Sequence, residues 1–386
     1  MTKYFRENFH FYIFFFILFS CYFFFEPRIT PDTKSYIITG KNVINNLFGG
    51  NFSNLLFSLL EIDILLKIIS ILNISIFFQL IGENAKYFLV ILNLFLFFYI
   101  FNINCIISRR INPIKDKKIL FLIVIFFSFF YFPVFLLSFN ILTEVYFQCI
   151  CMIYLRHLYL GNNNLKKLFL LSLISLFINP MGITLIGFTL ILFLSKYLRL
   201  NINFLILFTI MLIIFVIPFM LDYLFKGSYF TNIDGGRIKF LEKGNIIYFF
   251  LYYDQGALKW CESYCDFTTI YSSLKSNSNY LDYLFSGLLR IYYFIYPIRP
   301  YFSLNHNLLI SICMIFIYFG FFSSFLFCKF KSFIPFYFIL FFIFFFVITP
   351  LSPSFRYQSV LYLMLIPNTA IAYNLIITRI YEKFNN

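Results

Sequence analysis

The chain has 386 residues, 61% of them hydrophobic and 12% charged, with a formal net charge of +14. A soluble domain cannot bury that much apolar surface, and runs long enough to span a bilayer recur from end to end. The excess of Lys and Arg does not call for nucleic acid, because it collects in short loops on one side of the predicted topology, as the positive-inside rule expects. The sequence therefore predicts an all-α polytopic membrane protein with about 10 transmembrane segments. No long Pro-, Ser- or Gly-rich linker divides the chain, so residues 1–386 read as a single membrane domain. The 63 Phe and 30 Tyr, with abundant Ile, Asn and Lys, are residues of A/T-rich codons, so no aromatic run is read as a binding box.

Predicted spans fall at 9–25, 85–107, 119–138, 144–160, 168–178, 183–195, 203–221, 306–328, 333–349 and 357–377. The first follows Lys3 and Arg6 like a secretory leader, yet "CYFFFEPR" lacks a small-residue cleavage pattern. It reads as a retained helix. A first outer loop, 26–84, then opens with "RITPDTKSY". Thr30 suits an N-cap, Pro31 the first helical position, and Asp32 the first turn, where the helix dipole favours a carboxylate. Residues 55–81 are apolar but hold Glu61, Asp63 and Lys67, which points to interfacial helices lying on the outer surface, the alternative being an extra pair of short crossings. Glu61 and Asp63 stand two apart, so a helix does not aim them the same way.

In "SFNILTEVYFQCICMIYLRHLY", Glu144 stands at the outer entrance of a helix. An ionisable group there is costly unless it is paired or faces water, although a first-turn dipole partner accounts for it as well. The segments 168–178 and 183–195 are short for crossings and are joined by Asn179-Pro180-Met181-Gly182. Non-helical backbone at membrane depth needs protein or a watery cavity around it. A larger late outer loop, 222–305, holds Arg237 after Asp234-Gly235-Gly236 and the pair Cys261 and Cys265, close enough in sequence for a disulfide. Cys21, Cys105, Cys149, Cys151, Cys313 and Cys328 read as small core residues, and no zinc-type ligand set or phosphate-binding glycine loop is seen. The last helix is entered through "SPSFRYQSV", where Arg356 and Tyr357 fit an interfacial anchor or a site.

The order of these features resembles the integral-membrane glycosyltransferases of the C-type fold, the superfamily of protein O-mannosyltransferases and of aminoarabinose transferases acting on lipid A. The carrying residues are one leading helix, Asp32 with Tyr36 a few residues on, Thr143-Glu144 at a later helix start, a short hairpin, and Arg356-Tyr357 before the last helix. Asn179-Pro180 replaces the usual basic-Pro step, and Asp32 lacks the second adjacent acid of the mannosyltransferases. The resemblance implies an enzyme of the bacterial inner membrane with its site on the periplasmic or exterior face. It would move a sugar from a polyprenyl-phosphate donor to an envelope lipid, glycan or protein. Asp32 and Glu144 would be the catalytic pair, with or without a divalent metal. Tyr36, Arg356, Tyr357 and Arg237 would bind substrate, the arginines facing the leaving phosphate. Two other readings stay open: a polysaccharide polymerase or ligase working through loop 222–305, and a transporter or flippase. Helix interiors nearly free of Asp, Glu and Lys, and the absence of a visible repeat, argue against transport.

Overall fold

The computed structural model describes residues 9–50, 65, 67–112, 118–130, 132–141, 144–161, 164–199, 201–211, 295, 304–327, 333–348 and 355–385. Among these the secondary structure is helical, with one isolated β-bridge. In chain order the helices are α1 (Phe9–Tyr22), α2 (Pro31–Phe48), α3 (Ile68–Ile81) and α4 (Ala85–Ile111). Then come α5 (Lys118–Phe130), α6 (Phe132–Leu137), α7 (Glu144–Tyr159), α8 (Leu165–Ile178) and α9 (Ile183–Tyr197). The series closes with α10 (Ile202–Met211), α11 (Leu304–Phe327), α12 (Ile334–Ile348) and α13 (Phe355–Asn385).

Three stretches are long and apolar enough to cross a membrane: Ile68–Ile111, Leu304–Leu326 and Gln358–Phe384. The first covers 44 residues, about 66 Å at the helical rise, twice a hydrocarbon core. It does not run as one rod. Gly82, with φ of 65°, ends α3, and a 3-10 turn over Gly82–Asn84 starts α4. An L-residue with a side chain resists that positive φ, so glycine sets the break.

Where the residues are described the predicted spans fall on helices, 203–221 being described only as far as Met211, and two differences are of substance. The predicted span 119–138 is two helices, α5 and α6, and Pro133 sits at the second position of α6. A proline there forgoes an amide that has no helical partner anyway. In the first outer loop, α2 has the mixed, one-sided character of an interfacial helix, whereas α3 carries no charged residue at all. Glu61 and Asp63 lie outside the described residues.

The chain forms two compact units, residues 1–190 with 315–335 and 359–386, and residues 191–314 with 336–358. In the first, α7 is the central helix: eleven of its residues are buried, from Glu144 to Leu158. It packs on α4 and α8, and α4 in turn holds α1, α3 and α5. Phe14 of α1 stacks on Phe101 of α4 with ring centroids 3.8 Å apart, and His10 stacks on Phe121 of α5 at 3.9 Å. Within lipid, apolar burial cannot drive helices together, so close packing and hydrogen bonds must. The unit meets that need with small and hydroxyl residues. Gly40 of α2 lies so close to α3 that an added Cβ would collide with Ser75 and sit 2.9 Å from the Ile71 carbonyl. Tyr154 and Ser172 both bond Thr189, at 2.8 and 2.9 Å.

The α8–α9 joint is filled by protein. Met181 is fully buried, Asn179 is 2% exposed, and Ser70 of α3 donates to the Ile178 carbonyl at 3.2 Å. Asn179 accepts the Met181 amide at 3.0 Å, which satisfies the turn from within. Gly182 is required there, because a Cβ would fall on the backbone of Ser175 and Leu176. In the second unit, Cys313 and Met314 of α11 and Phe338 and Phe342 of α12 are fully buried, and Gln358 donates to the Ile295 carbonyl at 3.3 Å. Cys105, Cys149, Cys151 and Cys313 are buried free thiols, as small core residues should be, and Cys21 is half-buried. Cys261, Cys265 and Cys328 lie outside the described residues.

Candidate functional site

Asp32 and Glu144 are 112 positions apart in sequence, and the backbone brings their helix starts together. The Arg28 amide donates to the Phe139 carbonyl at 3.1 Å, and the Ile141 amide donates to the Arg28 carbonyl at 3.3 Å. These two bonds form the one isolated bridge among the described residues, Arg28 to Asn140. A further tie runs from the Thr33 hydroxyl to the Ile141 carbonyl, 2.6 Å long and buried. The start of α2 and the approach to α7 are thus knotted at three points.

Each strand of the knot is held locally. Thr30 is the N-cap of α2 and accepts the Thr33 amide at 3.2 Å, while Thr33 Oγ1 accepts the Thr30 amide at 3.2 Å. This is a reciprocal capping box with Thr in place of the usual Glu. Pro31 opens the helix and Asp32 falls in its first turn, as the sequence predicts. On the other strand, the amide of Asn93 in α4 donates to the Asn140 carbonyl at 3.0 Å. Asn73 of α3 donates to the Tyr146 hydroxyl at 3.0 Å. One turn into α7, Gln148 donates to the Ser359 hydroxyl of α13 at 2.6 Å.

The two carboxylates differ in setting. Asp32 is half-buried, and Tyr36, one turn on along α2, is half-buried too. Glu144 is 4% exposed. Both stand at positive helix ends, which favours negative charge on each. The arrangement can therefore hold a carboxylate pair beside the mouth of α7, one member accessible and one enclosed.

Among the described residues no group of three or more His, Cys, Asp or Glu is placed to hold a metal ion. Arg356 and Tyr357 form the first turn of α13, in the second unit. Arg237 and Thr143 lie outside the described residues. The sequence reading missed Arg28, Thr33, Asn93 and Gln148. Three of them are uncharged, and for Asn93 and Gln148 the signal that could have found them is the amide side chain in an otherwise apolar helix. Comparison with known proteins finds no matching family model, no matching curated sequence and no matching solved structure.

Proposed function

We propose that the chain is a membrane glycosyltransferase that moves a sugar from a polyprenyl-phosphate donor to an acceptor hydroxyl at the Asp32–Glu144 end of α7. The observation that carries this reading is the knot that ties the first turn of α2 to the approach to α7, which brings the helix starts bearing Asp32 and Glu144 together. In the reaction, the acceptor oxygen attacks the anomeric carbon, the bond from that carbon to the phosphate oxygen breaks, and the phosphate leaves with the electron pair. Asp32, the more accessible acid, takes the acceptor's proton as general base. Glu144, enclosed at the head of α7, orients the hydroxyl. The resemblance gives the leaving phosphate an arginine, and Arg356 is the residue its motif names.

The test is complementation read on envelope glycans. The gene is deleted and restored as wild type, Asp32→Asn or Glu144→Gln, at matched membrane levels. Deletion should remove one sugar mass, wild type should return it, and neither variant should. Full restoration by both variants would overturn the assignment.

A further inference from the structure

The end of α7 opposite Glu144 holds a second polar assembly that the proposed transfer does not use. Two neighbouring residues of α13 fix the level of that end. Asn368 donates to the Tyr159 hydroxyl of α7 at 2.6 Å, and Ser108 of α4 approaches the Pro367 carbonyl at 3.5 Å. Arg109 and Arg110, which follow Ser108, close α4 near that level, and Arg156 and His157 precede Tyr159 by about one turn of α7. From α8, Lys167 comes within electrostatic reach of His157, as does Arg156. Arg156, His157 and Lys167 thus meet from two helices, with Lys166 next to Lys167 in α8. The ends of α4, α7 and α8 concerned carry no acidic residue.

A topology signal alone asks only for exposed basic residues beyond helix ends. Two features here go further. Arg156 and His157 are half-buried within α7, and Arg156 Nε and His157 Nδ1 are enclosed without a hydrogen-bond partner among the described residues. An enclosed guanidinium N–H costs free energy until an acceptor reaches it, and an enclosed imidazole nitrogen likewise needs a partner. The exposed Lys166 and Lys167 lead directly into Phe169 and Leu170, exposed by 46% and 58% one turn along α8. Cations with apolar surface one turn away suit an amphiphile better than a free ion.

We propose that this assembly binds the phosphodiester of an anionic glycerophospholipid, with Arg156 and His157 on the phosphate, Lys166 and Lys167 at its rim, and the acyl chains along Phe169 and Leu170. The proposal does not depend on the sugar-transfer reading.

The experiment uses the full chain purified in detergent and titrated with phosphatidylglycerol, phosphatidylcholine or inorganic phosphate. Bound lipid is counted by native mass spectrometry, and melting temperature is followed in parallel. Wild type should retain phosphatidylglycerol, and it should melt higher with that lipid than with the other two. At about a factor of five per lysine, K166Q/K167Q should bind it roughly 30-fold more weakly. These two side chains are exposed, so the folded variant stays available where Arg156→Gln fails to fold. A second double variant, R379Q/K383Q, removes two cations from the far end of α13 and should bind like wild type. Equal retention of phosphatidylcholine, equal protection by inorganic phosphate, unchanged binding by K166Q/K167Q, or an equal loss in R379Q/K383Q would each overturn the proposal.

Discussion

Helices α2 and α7 open alike, with an acid in the first turn, and then diverge. α2 is polar on one side, exposes Lys34, Ser35, Lys41 and Asn42, and buries only a strip that includes Thr33, Gly40 and Val43. α7 is enclosed almost from end to end, its glutamate included. A half-buried aspartate behind a good N-cap is accounted for by capping and the helix dipole. An enclosed glutamate carries the larger desolvation cost of the two, so its surroundings weigh more on it than the helix end does. The difference teaches that a shared local motif carries different weight in different surroundings. Glu144, the less conspicuous acid in the sequence, makes the stronger structural case for function.

The sharpest way to break that comparison is chemical. Asp32→Asn should lower transfer by roughly a hundred- to ten-thousand-fold, the range for a lost general base, with melting almost unchanged; glycan masses and thermal melts check the two halves. Glu144→Gln keeps the shape of the side chain and should also abolish the product. If it only costs about 1 kcal/mol of stability while transfer persists, Glu144 is a dipole partner like any other first-turn acid. Next in size, Gly40→Leu should wedge α2 from α3 and cost about 3 kcal/mol, the upper end for overpacking, measured as a large drop in melting temperature. Thr33→Val removes both a capping contact and the bond to Ile141, and should cost about 2 kcal/mol with a partial loss of transfer despite an intact Asp32. Thr30→Ala removes only the local cap, so about 1 kcal/mol and near-normal transfer are expected, read by the same melts.

The helices themselves were legible because apolar length is a strong signal in a chain of this composition. The start of α2 was legible to the residue, since Thr30, Pro31 and Asp32 each have one good position in a helix. The nature of α3 was harder to read. Charges at 61, 63 and 67 suggested a surface helix, but the helix begins after Lys67 and is apolar on every side. What sequence could not supply was the knot. Two of its three bonds join main-chain atoms more than a hundred residues apart, and main-chain atoms leave no trace in residue identity. The amides Asn93 and Gln148 were overlooked for a related reason, as Asn is common throughout this chain and one more carries little information.

The Arg28–Asn140 bridge uses only the amides of Arg28 and Ile141 and the carbonyls of Phe139 and Arg28. The bridge itself asks of these positions only that proline, which lacks an amide hydrogen, stay out of 28 and 141. What holds Phe139 and Ile141 apolar is a separate demand, their burial at 2% and 1% exposure. At 28 and 140 the letters can change while the two helix starts stay in register.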